Sequence, residues 1–116
     1  MEFALSEEQE ILSDSVKKML GENIDIDLLR NHSKGDEGIR KNIREIVVEM
    51  GLPGILISEE YGGSGLGILE ASLIAEEFGR YAVPTPWIGN SVMAPTALAF
   101  KKGNILAEKW LPLIAS

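Results

Sequence analysis

The stretch Gly51-Leu-Pro-Gly-Ile-Leu-Ile-Ser-Glu-Glu-Tyr-Gly-Gly-Ser-Gly-Leu-Gly67, continuing as Ile68-Leu-Glu-Ala-Ser-Leu-Ile-Ala-Glu-Glu-Phe-Gly-Arg80, decides the fold. Its first half sets six glycines (Gly51, Gly54, Gly62, Gly63, Gly65, Gly67) and Pro53 around the apolar run Ile55, Leu56, Ile57. Such a composition turns the backbone repeatedly while burying one short hydrophobic piece. Its second half has helical periodicity with almost no polar face. At about 100° per residue, Ile68, Leu69, Ala71, Ser72, Leu73, Ile74, Ala75 and Phe78 leave to solvent the stripe of Glu70 and Glu77, with Glu76 apart from it. A helix so apolar belongs in the middle of an assembly.

Working outward toward the N-terminus, Ile39, Ile43, Ile46, Val47 and Met50 share one helical face, and Arg40, Lys41, Arg44, Glu45 and Glu49 take the others. Gly51 ends that helix as a left-handed cap, with Pro53 two residues on. Further back, Ser6 and Gln9 have capping-box spacing, with Glu7 and Glu8 well placed against the positive end of the helix dipole. Leu12, Val16, Met19 and Leu20 then recur at helical spacing, and Gly21 is expected to stop the helix. Residues 22–38 read as a short helix followed by a polar loop from Asn31 to Gly38.

Toward the C-terminus, Gly79 is expected to close the 68–78 helix as Gly51 closes its predecessor. Pro84-Thr85-Pro86 breaks the chain, and Pro86 suits a first helical turn. A helix from about Pro86 to Phe100 follows, with no charge between Arg80 and Lys101. Gly103 and Asn104 precede a last amphipathic piece, Ile105 to Ala115. Helices joined by short glycine stops must lie against one another, so the expected fold is all-α, a small orthogonal bundle of about five helices in one domain, 1–116. The helices 68–78 and 86–100 carry more apolar surface than a bundle of this size comfortably covers. Two readings of that pattern stay open: they are the two central helices, or the domain presents an apolar face to another domain, subunit or ligand.

Composition sets the outer bounds. With 45% hydrophobic and 25% charged residues the 116-residue chain is ordinary for a globular protein. A formal net charge of −7 argues against nucleic acid and anionic membrane surfaces, which need clustered Lys and Arg. It argues equally that this chain alone does not hold a phosphate-bearing ligand. Cysteine is absent, which removes disulfides and Cys-based zinc sites. No apolar run approaches about 18 residues and no basic-then-apolar leader begins the chain, so the expectation is a soluble, cytoplasmic protein without membrane contact.

Candidate chemistry in the residues themselves is sparse. The glycines from Gly62 to Gly67 lack phosphate-loop spacing and stand beside Glu59 and Glu60, so they read as a tight connector. His32 is the only histidine, in the polar loop, with no second ligand to share a metal. Glu59-Glu60 and Glu76-Glu77 read as solubilising carboxylates, since nothing supplies the desolvation that acid/base work requires. Asn31-His32-Ser33 fits a glycosylation sequon without a secretory context. Trp87 and Trp110 read as anchors of a helix on its neighbour. No catalytic constellation and no metal site emerge from the residues.

The pattern Gly-Leu, a short apolar run, Glu59-Glu60-Tyr61-Gly62-Gly63, then a helix ending Glu76-Glu77-Phe78-Gly79-Arg80 resembles the amino-terminal helical domain of flavin-dependent acyl-CoA dehydrogenases. Leu5-Ser6-Glu7-Glu8-Gln9 is similar to that family's first helix; Gly89-Asn90-Ser91 and Lys109-Trp110-Leu111-Pro112 are similar to its last two. Ser58 departs from the pattern, standing where the family usually has Pro. The resemblance implies a first domain whose β-sheet and second helical domains are missing from this chain, and those domains bring most of the FAD site and the catalytic glutamate. It implies α,β-dehydrogenation of an acyl-CoA thioester, an electron-transfer flavoprotein as acceptor, and a homo-oligomer when complete. By position, Thr85, Ile88, Gly89, Val92 and Met93 resemble part of the acyl-pocket wall, and Tyr61, Gly62 and Gly63 a structural turn near the domain junction. The competing class is a stand-alone interaction module that binds a partner through the 86–100 helix.

Overall fold

The computed structural model describes residues 3–101 and 103–116. Its elements are α1 (Glu7–Asn23), α2 (Ile26–Ser33), α3 (Glu37–Glu49), α4 (Ile68–Arg80), a π-helical turn (Ile88–Met93), α5 (Ala94–Ala99) and α6 (Ile105–Ala115). Two short 3₁₀ turns, Leu52–Gly54 and Glu59–Tyr61, punctuate the glycine-rich connector. Among the described residues there is no strand, as the all-α expectation requires.

Helix starts follow from side-chain capping. Ser6 and Gln9 form the expected reciprocal capping box on α1. Asp25 caps α2 by accepting from the Leu28 amide at 2.7 Å, and Asp36 caps α3 by accepting from Ile39 at 3.2 Å. That second cap starts α3 at Glu37, so the polar loop shrinks to a few residues. His32 and Asn31 lie in the last turn of α2, not in the loop expected for them. Gly51 ends α3 with φ +69°, the left-handed conformation its position implied.

Two other glycines do not act as stops. α1 runs through Gly21 to Asn23, because that glycine makes room for Tyr81: a Cβ there would stand 3.1 Å from the Tyr81 hydroxyl. Gly79 lies inside α4, which continues to Arg80. The left-handed residue after it is Ala82, at φ +50°.

α1 and α4 run parallel. Gln9 Nε2 donates to Glu70 Oε1 at 2.7 Å near their N-termini, and Gly21 faces Tyr81 near their C-termini. This pairing overturns the expected solvent stripe of α4. Glu70 is half-buried, and Glu77 is only 5% exposed, whereas Ile68 is 68% exposed. The Gln9 hydrogen bond, with further help from backbone amides including Gly67, holds the Glu70 carboxyl below the usual carboxylate range. Glu77 Oε2 lies 3.2 Å from Arg80 Nε, an ion-pair distance whose alignment does not make a hydrogen bond.

The main core gathers Val16 and Leu20 of α1, Ile43 and Val47 of α3, Leu52 and Ile55 of the connector, Ala71, Ile74 and Phe78 of α4, and Trp87. A second, smaller core joins Ile57 to Ala107 and Leu111 of α6. The connector straddles both, with Ile55 on one side and Ile57 on the other. Gly63 packs so closely on Ile57 that no side chain fits between them.

The whole is a slab of 45 × 38 × 18 Å with a radius of gyration of 15.0 Å. A self-contained chain of this length has a radius near 13 Å. A helix with its side chains is about 10–12 Å across and packed axes lie about 8–10 Å apart, so the slab is no more than about two helices thick. Broad faces are consequently left on the outside, and several large apolar side chains lie on them.

Candidate functional site

The part of the chain poorest in charge is built around Trp87. Its ring is buried, meets Phe78 edge-on at 5.3 Å and 64°, and its Nε1–H donates to the Leu52 carbonyl at 3.2 Å. These contacts tie the start of the fifth helical segment to both α4 and the glycine-rich connector. Ahead of it, Val83 to Pro86 has no regular secondary structure, and the Thr85 amide donates to Val83 O at 2.9 Å.

Beyond Trp87 the expected continuous 86–100 helix is not formed. Residues Ile88–Met93 make a π turn in which the Ala94 amide reaches back five residues to the Gly89 carbonyl, and α5 follows. Inward-facing Ser91 and Pro95 are buried. Thr96 Oγ1 donates to Val92 O at 2.6 Å. On the outside stand Ile88, 57% exposed, and Met93, 65% exposed, with Gly89 also exposed.

The five residues assigned by resemblance to an acyl wall therefore divide. Ile88, Gly89 and Met93 share the outer side of the π turn; Val92 is half-buried and packs against the main core. Thr85 is half-buried and opens on a cleft of about 570 Å³ bounded by α3, the 84–87 connector and the end of α6. Arg40, Arg44, Trp87, Asn90 and Leu113 also line that cleft, and its lining includes no Asp or Glu side chain. Arg40 is held by Glu37 at 2.8 Å. The cleft and the outer face of the π turn are thus two surfaces of one helical segment. Sequence reading did not find the cleft, whose walls are far apart in the chain. The π turn had a visible sign in Pro95, in the middle of the segment read as one helix.

The glycine-rich connector is a structural turn. Gly62 takes φ +85° and Gly65 φ +62°, and Glu59 and Glu60 beside them are exposed. Exposed carboxylates flanking those amides oppose a pyrophosphate, so the connector does not fit a flavin's phosphates. No group of three or more His, Cys, Asp or Glu that could hold a metal occurs among the described residues. Among them, no helix is long and apolar enough to cross a membrane.

Comparison with known proteins gives a consistent result. Residues 6–116 match the family model described as acyl-CoA dehydrogenase, N-terminal domain. The chain is 28% identical over 105 residues to the acyl-CoA dehydrogenase IpdE2 of Mycolicibacterium smegmatis, covering 90% of this chain and 34% of the relative. It is 34% identical to the mitochondrial isovaleryl-CoA dehydrogenase of Pongo abelii, covering 97% of this chain and 27% of the relative. It is 32% identical to the (2S)-methylsuccinyl-CoA dehydrogenase of Cereibacter sphaeroides, covering 97% and 20% respectively. This chain thus spans about a third or less of the length of these curated relatives. No solved structure matches.

Proposed function

The chain belongs to the acyl-CoA dehydrogenase family through the N-terminal domain of that family, and we propose that it works as one domain of a flavoenzyme that desaturates an acyl-CoA thioester between Cα and Cβ. In this reading it supplies packing to the remaining domains and part of the wall of the acyl pocket. The observation that carries it is the outer side of the π turn, where Ile88 and Met93 lie exposed around an unencumbered Gly89. An apolar wall of this kind desolvates an acyl chain at about 0.8 kcal/mol per buried CH₂. Bulk at the wall then limits the chain length accepted.

Thr85 and Val92 belong to the same wall as its flanks, Thr85 at the mouth of the arginine-lined cleft and Val92 where the wall meets the core. Neither proton abstraction nor flavin binding is assigned to this chain. Among the described residues the one buried ionisable side chain, Glu77, is paired with Arg80 of its own helix, and the glycine-rich connector is the wrong chemistry for a pyrophosphate. FAD and the catalytic base therefore belong to polypeptide outside this domain, as do the contacts with an electron-transfer flavoprotein and with further copies of the enzyme. A stand-alone interaction module would use the same outer face for a protein partner.

The discriminating experiment compares the 116-residue chain with the flavoprotein that carries it. The isolated chain is expected to be colourless and inactive toward acyl-CoA. In the flavoprotein, Ile88→Ala and Met93→Ala are expected to shift the ratio of kcat/KM for long against short acyl-CoA while leaving flavin content unchanged. Unchanged ratios in both variants would remove the acyl-wall assignment. Activity in the isolated chain would overturn the placement of the chemistry elsewhere.

A further inference from the structure

The π turn has a cause that can be traced to one residue. In an uninterrupted α-helix each amide bonds the carbonyl four residues back. Residue 95 is a proline, without an N–H, whose ring in an α-helix would collide with the carbonyl four residues earlier, that of Ser91. Both Ser91 and Pro95 are buried, so neither can relieve that collision by swinging into solvent. The backbone instead widens: the Ala94 amide bonds Gly89 rather than Asn90, and α5 begins with Pro95 in its first turn, where the missing donor costs least. Gly89 is not the cause. Its φ is not left-handed, and a Cβ built on it meets nothing within 4 Å.

The wide turn has a geometric consequence for the outer face. Five residues along an α-helix rotate the side chain by about 500°, which leaves residues 88 and 93 about 140° apart. In a π turn, residues five apart are brought one above the other by the i to i+5 bond. The structure accordingly has both Ile88 and Met93 outside, while Ser91 between them points in. An α-helical register would swing Met93 away from Ile88 and narrow the shared apolar face to one large side chain.

We infer that Pro95 is a positioning residue, which never touches the outer face yet holds the π turn that aligns Ile88 with Met93 there. Its effect on acyl selectivity rests on the wall assignment above; its effect on register does not. The test uses the isotope-labelled 116-residue chain and its Pro95→Ala variant. In the unmodified chain, scalar coupling across the hydrogen bond is expected between the Ala94 amide and the Gly89 carbonyl, with a nuclear Overhauser contact between the Ile88 and Met93 side chains. In Pro95→Ala the coupling is expected to move to the Asn90 carbonyl and the Ile88–Met93 contact to be lost. Gly89→Ala is expected to keep the original coupling.

A Pro95→Ala chain that retains the Ala94–Gly89 coupling and the side-chain contact overturns the inference. So does an unmodified chain whose Ala94 amide bonds Asn90, a result that stands even if the variant fails to fold. In the flavoprotein, the Pro95→Ala change is expected to alter kcat/KM ratios between acyl lengths more than it alters kcat for the preferred one. A register change without a selectivity change leaves the role of Pro95 standing and removes the acyl-wall reading instead.

Discussion

Gly63→Ala isolates the tightest backbone approach in the fold. A Cβ on Gly63 would lie 2.5 Å from both the carbonyl carbon and the Cβ of Ile57, and nearer still to the Ile57 oxygen. Ile57 cannot give way, since it is buried at the centre of the second core between Ala107 and Leu111. The turn must open instead, at the expense of hydrogen bonds from Gly65 to Ile57 O at 2.8 Å and from Ser64 to Gly54 O at 2.9 Å. Overpacking of this kind costs about 1–3 kcal/mol, and each weakened bond adds about 0.5–1.5 kcal/mol. A total near 3–4 kcal/mol lowers the melting temperature of a domain this size by roughly 12–20 °C. Gly62→Ala is the control, because Gly62 has φ +85° but open space around its missing Cβ; it costs only the left-handed penalty of about 1–2 kcal/mol. Circular-dichroism melts and urea midpoints of the two variants decide the matter. If Gly63→Ala is no more destabilising than Gly62→Ala, the close packing of the connector on Ile57 is not real.

Ala82 sits at φ +50°, so Ala82→Gly is expected to raise stability by about 0.5–1 kcal/mol; an unchanged or lower urea midpoint would contradict the strain. Trp87→Phe removes the 3.2 Å bond to Leu52 O. Because that carbonyl also accepts from the Ile55 amide, the loss is expected at the low end for a buried bond, about 1 kcal/mol, read as a lower urea midpoint with the slope unchanged. For Glu70, whose carboxyl is held below its ordinary range by Gln9, the sign follows from linkage. Its contribution is complete above the unfolded-state pKa and disappears as pH falls through the lower folded-state one. Glu70→Gln should therefore flatten part of the acid limb of stability against pH while changing little near neutrality; an identical acid limb in the variant refutes the role of the Gln9 contact.

Local signals in the sequence were read well where the cause was local. The Ser6–Gln9 box, the left-handed Gly51 and the connector around Ile55 and Ile57 are each set by residues within a few positions of one another. The failures came where a distant partner decides. Gly21 looks like a stop until Tyr81, sixty residues later, is seen to occupy the space its hydrogen leaves. Glu77 looks solvent-facing until α1 is laid alongside α4. Of the five residues grouped by resemblance, Thr85, Ile88, Gly89, Val92 and Met93, the structure leaves Ile88, Gly89 and Met93 outside, and nothing local in the sequence shows the π turn that aligns them. The period of an α-helix, applied through a proline, turns Ile88 to within about 60° of the buried Ser91 and about 140° away from Met93.

The shape of the chain bears on which reading of its surplus apolar surface is right. If the two helical segments poorest in charge were simply central, their apolar residues would be covered from both sides, and the slab would be three helices thick with a radius near 13 Å. The observed thickness of 18 Å and radius of 15.0 Å leave room for covering on one side only. Each segment is correspondingly split: α4 sends Ala71, Ile74 and Phe78 inward and leaves Ile68 and Leu69 out, while the π turn sends Ser91 inward and leaves Ile88 and Met93 out. Burying the outer set needs a second body, and the relatives, several times longer than this chain, have the polypeptide to provide one. Small-angle scattering and analytical ultracentrifugation of the 116-residue chain are expected to give a self-associating species rather than a compact monomer. A monomer with a radius near 13 Å would mean that these helices close over themselves, and the argument for an open apolar wall would lose its physical basis.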